Sequence, residues 1–217
     1  MILDFTTTAV SRPEIVNRTY KTFSRKLKGV EFDKCTLYIN IDPLPVKADR
    51  NEVVEVAKKY FGKVVPNMPS TPNFTAAYNW IWNNATSDYI FNLEDDWELN
   101  QDVNINDMMK FFSDSPSLYQ VVLRAYKYKY ESCPLSPSIL HKRFYKSIAG
   151  KLDESLNPEI QLRGSAFGLE MPNKTFSVKG KLSIYSKSVI VKDIGTEWRN
   201  ATKFKKPKKK GRFVSWE

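Results

Sequence analysis

The sequence predicts an α/β fold, a mostly parallel central sheet with helices on both faces, and three observations carry that expectation. Short apolar runs alternate three times with segments whose apolar residues recur at helical spacing. Two of the runs end in acids, at Asp42 and at Glu94-Asp95-Asp96, and parallel sheets gather their ligands beyond the carboxyl ends of their strands. No internal repeat and no Gly/Ser linker interrupts the chain, so a single domain is expected over residues 1–197, with a basic tail over 198–217.

The elements follow in order. Ile2–Ala9 (ILDFTTTA) reads as a first strand, and Arg12-Pro13-Glu14 opens a helix, because proline fits the first helical turn. Ile15, Val16, Thr19, Tyr20, Phe23 and Leu27 then fall on one helical face. Cys35–Asp42 (CTLYINID) is a second strand, Asp49 caps a helix carrying Val53, Val54, Ala57 and Tyr60, and Gly62–Pro66 is a short third strand. A helix from Phe74 to Ala85 leads into the strand Tyr89–Leu93. Beyond it, Met108–Phe112 falls in a helix, Leu118–Tyr130 reads as a strand, and Pro137–Gly150 as an amphipathic helix stopped by glycine. Leu156–Gly164 reads as a short helix with Pro158 at its first position, and Lys181–Gly195 is strand-like.

Composition narrows the function classes. Of 217 residues, 41% are hydrophobic and 13% aromatic, which suits a buried core and not a disordered chain. No run approaches the roughly 20 apolar residues of a membrane span, and MILDFTTTAVSRPE lacks the basic lead of a signal peptide. Two cysteines, Cys35 and Cys133, are too few for a disulfide scaffold, so a reducing, cytoplasmic compartment is expected. The net charge of +10 is uneven: residues 198–217 hold eight Lys/Arg against one acid. That points to a polyanionic partner near the C-terminus, whether nucleic acid, an anionic membrane surface or donor phosphates, or else to a solvated tail. Neither G-x-x-x-x-G-K-[ST] nor G-x-G-x-x-G occurs, which argues against P-loop and dinucleotide chemistry. The only histidine, His141, reads as a surface or structural residue.

The stretch SDYIFNLEDDWELN ends a core strand in three adjacent carboxylates. A hard divalent cation such as Mn²⁺ or Mg²⁺ takes oxygen ligands and offsets their repulsion. Mg²⁺ is held typically by one or two carboxylates together with substrate phosphates, so the cluster predicts a phosphate-bearing substrate. Strand alternation would turn Glu94 and Asp96 one way and Asp95 the other.

FTTTAVSRPEIVNRTYKTF, NID at the end of the second strand, and NFTAAYNWIWNNATSDYIFNLEDDWEL together resemble the nucleotide-sugar-binding half of GT-A glycosyltransferases, especially the family-two-like inverting enzymes. The resemblance covers Ile2 to Leu99 and continues weakly through LSPSILHKRF and LNPEIQLRG. It implies a Rossmann-like GT-A domain with a donor half (1–99) and an acceptor half (100–197), using Mn²⁺ or Mg²⁺ and a nucleoside-diphosphate sugar, with UDP-sugar as the expected donor. By resemblance Asp96 and Glu94 serve the metal, with Asp95 or Glu94 meeting the ribose or a metal-bound water. Glutamate in the first place departs from the usual D-x-D pattern. Thr6, Thr8, Arg12, Asp42, Asn73 and Ala77 match the donor pocket. Glu159 in NPEIQLRG matches the acid that deprotonates the acceptor in inverting transfer, with Arg163 four residues on. Asp153 and Glu154 are fallback candidates.

The acceptor is the least legible part. YKYKY places Tyr126, Tyr128 and Tyr130 on one strand face and Lys127 and Lys129 on the other, which suits sugar stacking, nucleic acid or an ordinary half-wet strand. Lys203, Lys205 and Lys206 add to a charge beyond what one diphosphate needs. A glycan acceptor is expected. DNA carrying hydroxymethylated bases, bound through its phosphates and read by base flipping, is an alternative, as is tail docking on an anionic membrane. A non-catalytic nucleotide-sugar or nucleic-acid binding module is the reading from another class.

Overall fold

The computed structural model describes residues 1–44, 49–115, 118–123, 135–162, 175–177 and 190–202. Strand β1 (Asp4–Val10) leads into helix α1 (Pro13–Lys26), which opens with proline. Strands β2 (Leu27–Lys28) and β3 (Thr36–Asp42) follow. Helix α2 (Arg50–Lys58) is capped by the Asp49 carboxylate accepting from Asn51 N–H, which satisfies one of the orphan donors of the first turn. Next come β4 (Lys63–Asn67), α3 (Phe74–Asn84), β5 (Tyr89–Asn92), β6 (Trp97–Leu99), β7 (Val103–Asn104) and α4 (Ile105–Asp114). The rest of the described chain gives β8 (Gln120–Val122), β9 (Ser138–His141), α5 (Lys142–Ile148), α6 (Pro158–Gln161), β10 (Thr175–Ser177), β11 (Val191–Asp193) and α7 (Gly195–Thr202).

Seven of these strands form one sheet in the order β10-β8-β9-β5-β1-β3-β4. β1 runs parallel to β3 and to β5, and β4 parallel to β3. β9 pairs antiparallel with both β5 and β8, while β10 runs parallel to β8. Within this sheet only β9 runs against the rest, as the predicted mostly parallel α/β class requires. Among the described residues no helix is long and apolar enough to cross a membrane.

Both faces of β5 and β9 are covered, which is why these strands read as continuous apolar runs and not as alternating ones. Neighbours on one strand split between two cores: Phe91 and Ile139 join Val16, Phe23, Val53 and Met108 under α1, α2 and α4. Ile90 and Leu140 join Tyr78, Trp82, Phe144 and Tyr145 under α3 and α5. Phe5 sits at the centre of the first core, with its ring 5.0–5.2 Å from those of Phe32, Phe61 and Phe91. Fully burying a ring of this size is worth about 1.5–3 kcal/mol.

One expectation changes. The segment Pro137–Gly150 is not one helix: Ser138–His141 is strand β9, and α5 starts at Lys142. Ile139 and Leu140 are apolar on successive positions because β9 lies between β5 and β8 with both faces buried, a pattern that periodicity alone cannot tell from a helix. His141 ends the strand and caps α5, its Nδ1 accepting from Arg143 N–H at 3.0 Å. Of the expected strand Leu118–Tyr130 the structure describes β8, and of Lys181–Gly195 it describes β11 and the residues beside it. The remainder of both lies outside the described residues, as does Cys133. Helix α7 covers residues 195–202.

Candidate active site

The parallel register of β1 with β3 and β5 brings Val10, Asp42 and the residues after Asn92 to one rim of the sheet. β5 stops at Asn92, yet the backbone keeps following β1, with Leu93 N–H donating to Thr6 O at 2.9 Å and Asp95 N–H to Thr8 O at 3.2 Å. A turn at Asp95-Asp96 then starts β6. This geometry gives the three carboxylates three different environments.

Asp95 faces inward. Its carboxylate accepts from Arg12 Nη2 at 2.7 Å and from Val10 N–H at 3.2 Å, while its carbonyl accepts from the Thr19 hydroxyl at 2.6 Å. Asp96 Oδ2 lies 3.3 Å from the same Arg12 Nη2. The alternate facing expected from strand periodicity is therefore corrected. The strand has already ended, and a turn points Asp95 and Asp96 at one guanidinium. Glu94 goes another way, accepting from the Trp97 indole N–H at 2.9 Å.

The electrostatics follow from burial. Burial drives the Glu94 carboxyl well above the usual carboxylate range, and the neighbouring charge of Asp96 adds to the shift, against the Trp97 hydrogen bond. Burial and the Asp95 charge lift Asp96 to about 6, with Arg12 pulling the other way. Burial costs the Arg12 charge, but Asp95 and Asp96 more than offset this and raise its pKa. Arg12 is 2% exposed, and its Nε and Nη1 are buried without a hydrogen-bond partner. An unsatisfied buried donor costs about 1–3 kcal/mol, so this wall of the site lacks acceptors.

Arg12, Glu94, Asp95 and Asp96 line an open cleft with about 750 Å³ of empty space, part of it open solvent. Thr8 and Asp42 join them from the ends of β1 and β3, and Glu159 from the first turn of α6. Asp42 accepts from Asn40 Nδ2 at 2.8 Å and from Asn73 N–H at 3.2 Å, and burial raises it to about 6 despite these bonds. Glu159 is exposed, and its N–H donates to Asn157 Oδ1 at 2.8 Å, which fixes the turn that carries it.

Three predicted donor residues do not line the cleft. Thr6 is buried with its hydroxyl on Asn92 Oδ1 at 3.2 Å, and Ala77 is buried in α3. Asn73 caps α3 by accepting from Thr75 and Ala76 N–H, and its Nδ2 reaches Glu154 O at 3.2 Å. Tyr128, Lys129, Arg163, Lys203, Lys205 and Lys206 lie outside the described residues. The sequence reading missed Phe74, Asn157 and Arg199, which also line the cleft. Arg199 was hidden by its place in a basic stretch, since only the return of α7 to the sheet rim reveals it.

A cation at this site would take its protein ligands from Glu94 and Asp96. Among the described residues no three His, Cys, Asp or Glu side chains are placed to hold a metal by themselves. Glu94 and Asp96 supply hard oxygen donors whose charges work against each other in a buried place, which fits a two-carboxylate site completed by phosphate oxygens.

No protein-family model matches the chain, and no curated protein matches it. Solved structures do. S. aureus TarS residues 1–349 align with 74% of this chain at 12% identity and a TM-score of 0.53. The mannosyltransferase PcManGT from Pyrobaculum calidifontis, in complex with GDP-Man and Mn²⁺, aligns with 69% at 11% identity and a TM-score of 0.52. CMP:2-keto-3-deoxy-manno-octonic acid synthetase, complexed with CTP, aligns with 82% at 12% identity and a TM-score of 0.50, over 89% of its own length. The chain spans 54% of the TarS fragment and 48% of the mannosyltransferase, about half of each. At such identities the likeness is one of fold: a GT-A-like α/β domain.

Proposed function

We propose that this chain is a metal-dependent glycosyltransferase that moves a sugar from a nucleoside-diphosphate donor, with UDP-sugar as the expected class, to an acceptor hydroxyl. One observation carries the reading: Asp42, Arg12, Glu94, Asp96 and Glu159, drawn from four separate segments, meet in one cleft beyond the carboxyl ends of parallel strands. A fold shared with a mannosyltransferase that binds GDP-Man and Mn²⁺ supports it.

Asp42 and Thr8 bind the nucleoside end, beside Arg12 in the lining of the cleft. Glu94 and Asp96 would hold Mn²⁺ or Mg²⁺ as its two carboxylate ligands. When bound, the cation stabilises the negative charge that gathers on the departing diphosphate. Glu159 accepts the proton of the acceptor hydroxyl as its oxygen forms the new bond to the anomeric carbon. The bond from that carbon to the diphosphate oxygen breaks with its electron pair leaving on the nucleoside diphosphate, and the anomeric centre inverts. The exposure of Glu159 at the mouth suits a base that must meet an incoming acceptor.

A glycan is the acceptor favoured by this reading. The eight Lys/Arg of residues 198–217 exceed what one diphosphate needs, and this favours DNA with hydroxymethylated bases as the second reading. A non-catalytic binding module would keep the same cleft but show no transfer.

Calorimetric binding of UDP, UDP-glucose, GDP-mannose and CTP, each with Mn²⁺ and with EDTA, tests the proposal. Metal-dependent binding of a nucleoside diphosphate or its sugar supports transfer and identifies the donor class. Binding of CTP alone would shift the reading to nucleotidyl transfer, as in the CTP-bound neighbour. No binding at all would overturn it.

A further inference from the structure

The residues before α7 pin it to the acidic turn. β11 pairs antiparallel with β6, placing Asp193 opposite Trp97, and Ile194 N–H donates to Asp96 O at 2.8 Å. Gly195 then lies directly on the Asp96 side chain, where an added Cβ would fall 2.1 Å from Oδ2. One turn on, the Trp198 ring lies over the Arg12 guanidinium, 5.0 Å from Cζ to ring centroid, and its indole N–H donates to Glu14 Oε1 at 2.9 Å. A cation over an indole face is attracted by the ring, the more so where water is excluded.

This seat aims the next side chain. Arg199 lines the cleft with Glu94, Asp96 and Glu159. Its Nη2 donates to the Thr196 hydroxyl at 2.6 Å, and no carboxylate among the described residues pairs with it. The other α7 charge, Glu197, is committed to Arg18 and Lys192 on the outer surface. A guanidinium with no carboxylate partner among the described residues therefore lines a cleft whose own acids call for a phosphate-bearing ligand.

We infer that α7 is a strap that brings Arg199 to the phosphates of the bound nucleotide, and that Trp198 is the positioning residue that seats the strap on Arg12. This rests on the glycosyltransferase reading above, and it names a residue and a mode of delivery that the reading does not need. A guanidinium meets phosphate with paired, planar donors that an ammonium cannot reproduce. The strap therefore contributes most where the ligand carries two phosphates and little where it carries one.

The test compares affinities for a nucleoside diphosphate and its monophosphate, UDP against UMP and GDP against GMP, with Mn²⁺. The proteins are wild type and the Arg199→Ala, Arg199→Lys, Trp198→Ala and Trp198→Phe variants of the full chain. Arg199→Ala should lose about tenfold or more in diphosphate affinity while the monophosphate changes less than about twofold, a charged hydrogen bond being worth 1.5–3 kcal/mol. Arg199→Lys should recover only part of the loss. Trp198→Ala should reproduce the Arg199→Ala pattern with Arg199 intact, and Trp198→Phe, which keeps a ring over Arg12, should restore most of it. Unchanged diphosphate preference in Arg199→Ala would overturn the strap while leaving the transferase reading in place. Equal losses for both nucleotides would make α7 a structural support only. If wild type binds neither diphosphate, the transferase reading itself fails. Thermal denaturation of each variant separates unfolding from lost contacts.

Discussion

Arg12 donates to Asp95 at 2.7 Å across 83 positions of sequence, and both side chains are almost wholly buried. This pair joins the start of α1 to the acidic turn and so holds the two sides of the cleft floor in register. A buried ion pair costs desolvation on both partners, and removing one partner leaves a stranded charge.

Arg12→Met should therefore destabilise the protein by about 3–5 kcal/mol, the usual penalty for stranding a buried charge. Asp95→Asn should cost less, because its one amide oxygen still accepts from Arg12 and the Arg12 charge keeps Asp96 as a partner, although the bond from Val10 N–H is lost. Urea denaturation of both single variants and the double variant gives the coupling. A coupling energy near zero would show that the two residues are stabilised separately.

Asp96→Ala should abolish metal-dependent nucleotide binding, whereas Glu159→Gln should bind donor with unchanged affinity. Transfer in Glu159→Gln should fall about 10²–10⁴-fold, the contribution of a positioned general base. Titration calorimetry and a single-turnover transfer assay read the two effects apart. Full transfer by Glu159→Gln would remove Glu159 from the role of base.

Stability should decline as pH rises from about 4 to about 6. The Asp42 carboxyl is lifted by burial from 3.8 to about 6 in the folded chain. The native state thus holds a proton that the unfolded chain has released in this window, and linkage makes unfolding easier as pH increases. Asp96, also lifted to about 6, contributes with the same sign. Asp42→Asn cannot titrate and should flatten the slope by at most about 3 kcal/mol across the window. Denaturation midpoints at half-unit pH steps give the result. An unchanged slope would mean that Asp42 is not the titrating group.

Ending the chain after Thr202 keeps α7 whole and removes Lys203, Lys205, Lys206 and the basic residues beyond them. If residues beyond 202 contact phosphates of DNA, the shortened protein should bind duplex DNA more weakly, with a shallower dependence on salt, and keep its nucleotide affinity. Filter binding at several salt concentrations measures the slope. An unchanged slope would assign the DNA contacts, if any, to the folded body.

Much of the first half of the chain was legible because it is local. Pro13 at a helix start, Asp49 as a cap and the run Tyr89–Leu93 each act within a few residues, and the structure keeps all three. The three acids were found as a cluster, but their division of labour was not. It depends on Arg12, which approaches from the far end of β1. β9 was misread for a related reason: a strand buried on both faces shows no alternation, so only its partners β5 and β8 define it. Arg199 was out of reach because its place in the cleft is set by the pairing of β11 with β6, a contact between distant segments.

That same pairing sets an order of assembly. Val191–Asp193 must emerge before β6 has its partner, almost a hundred residues after Trp97–Leu99 has left the ribosome. Until then β6 presents an open edge, the kind of surface on which nascent chains associate wrongly. β11, the last strand among the described residues, thus both shields that edge and carries α7 to the mouth of the cleft, so the newborn chain completes its site only after β11 and α7 have emerged.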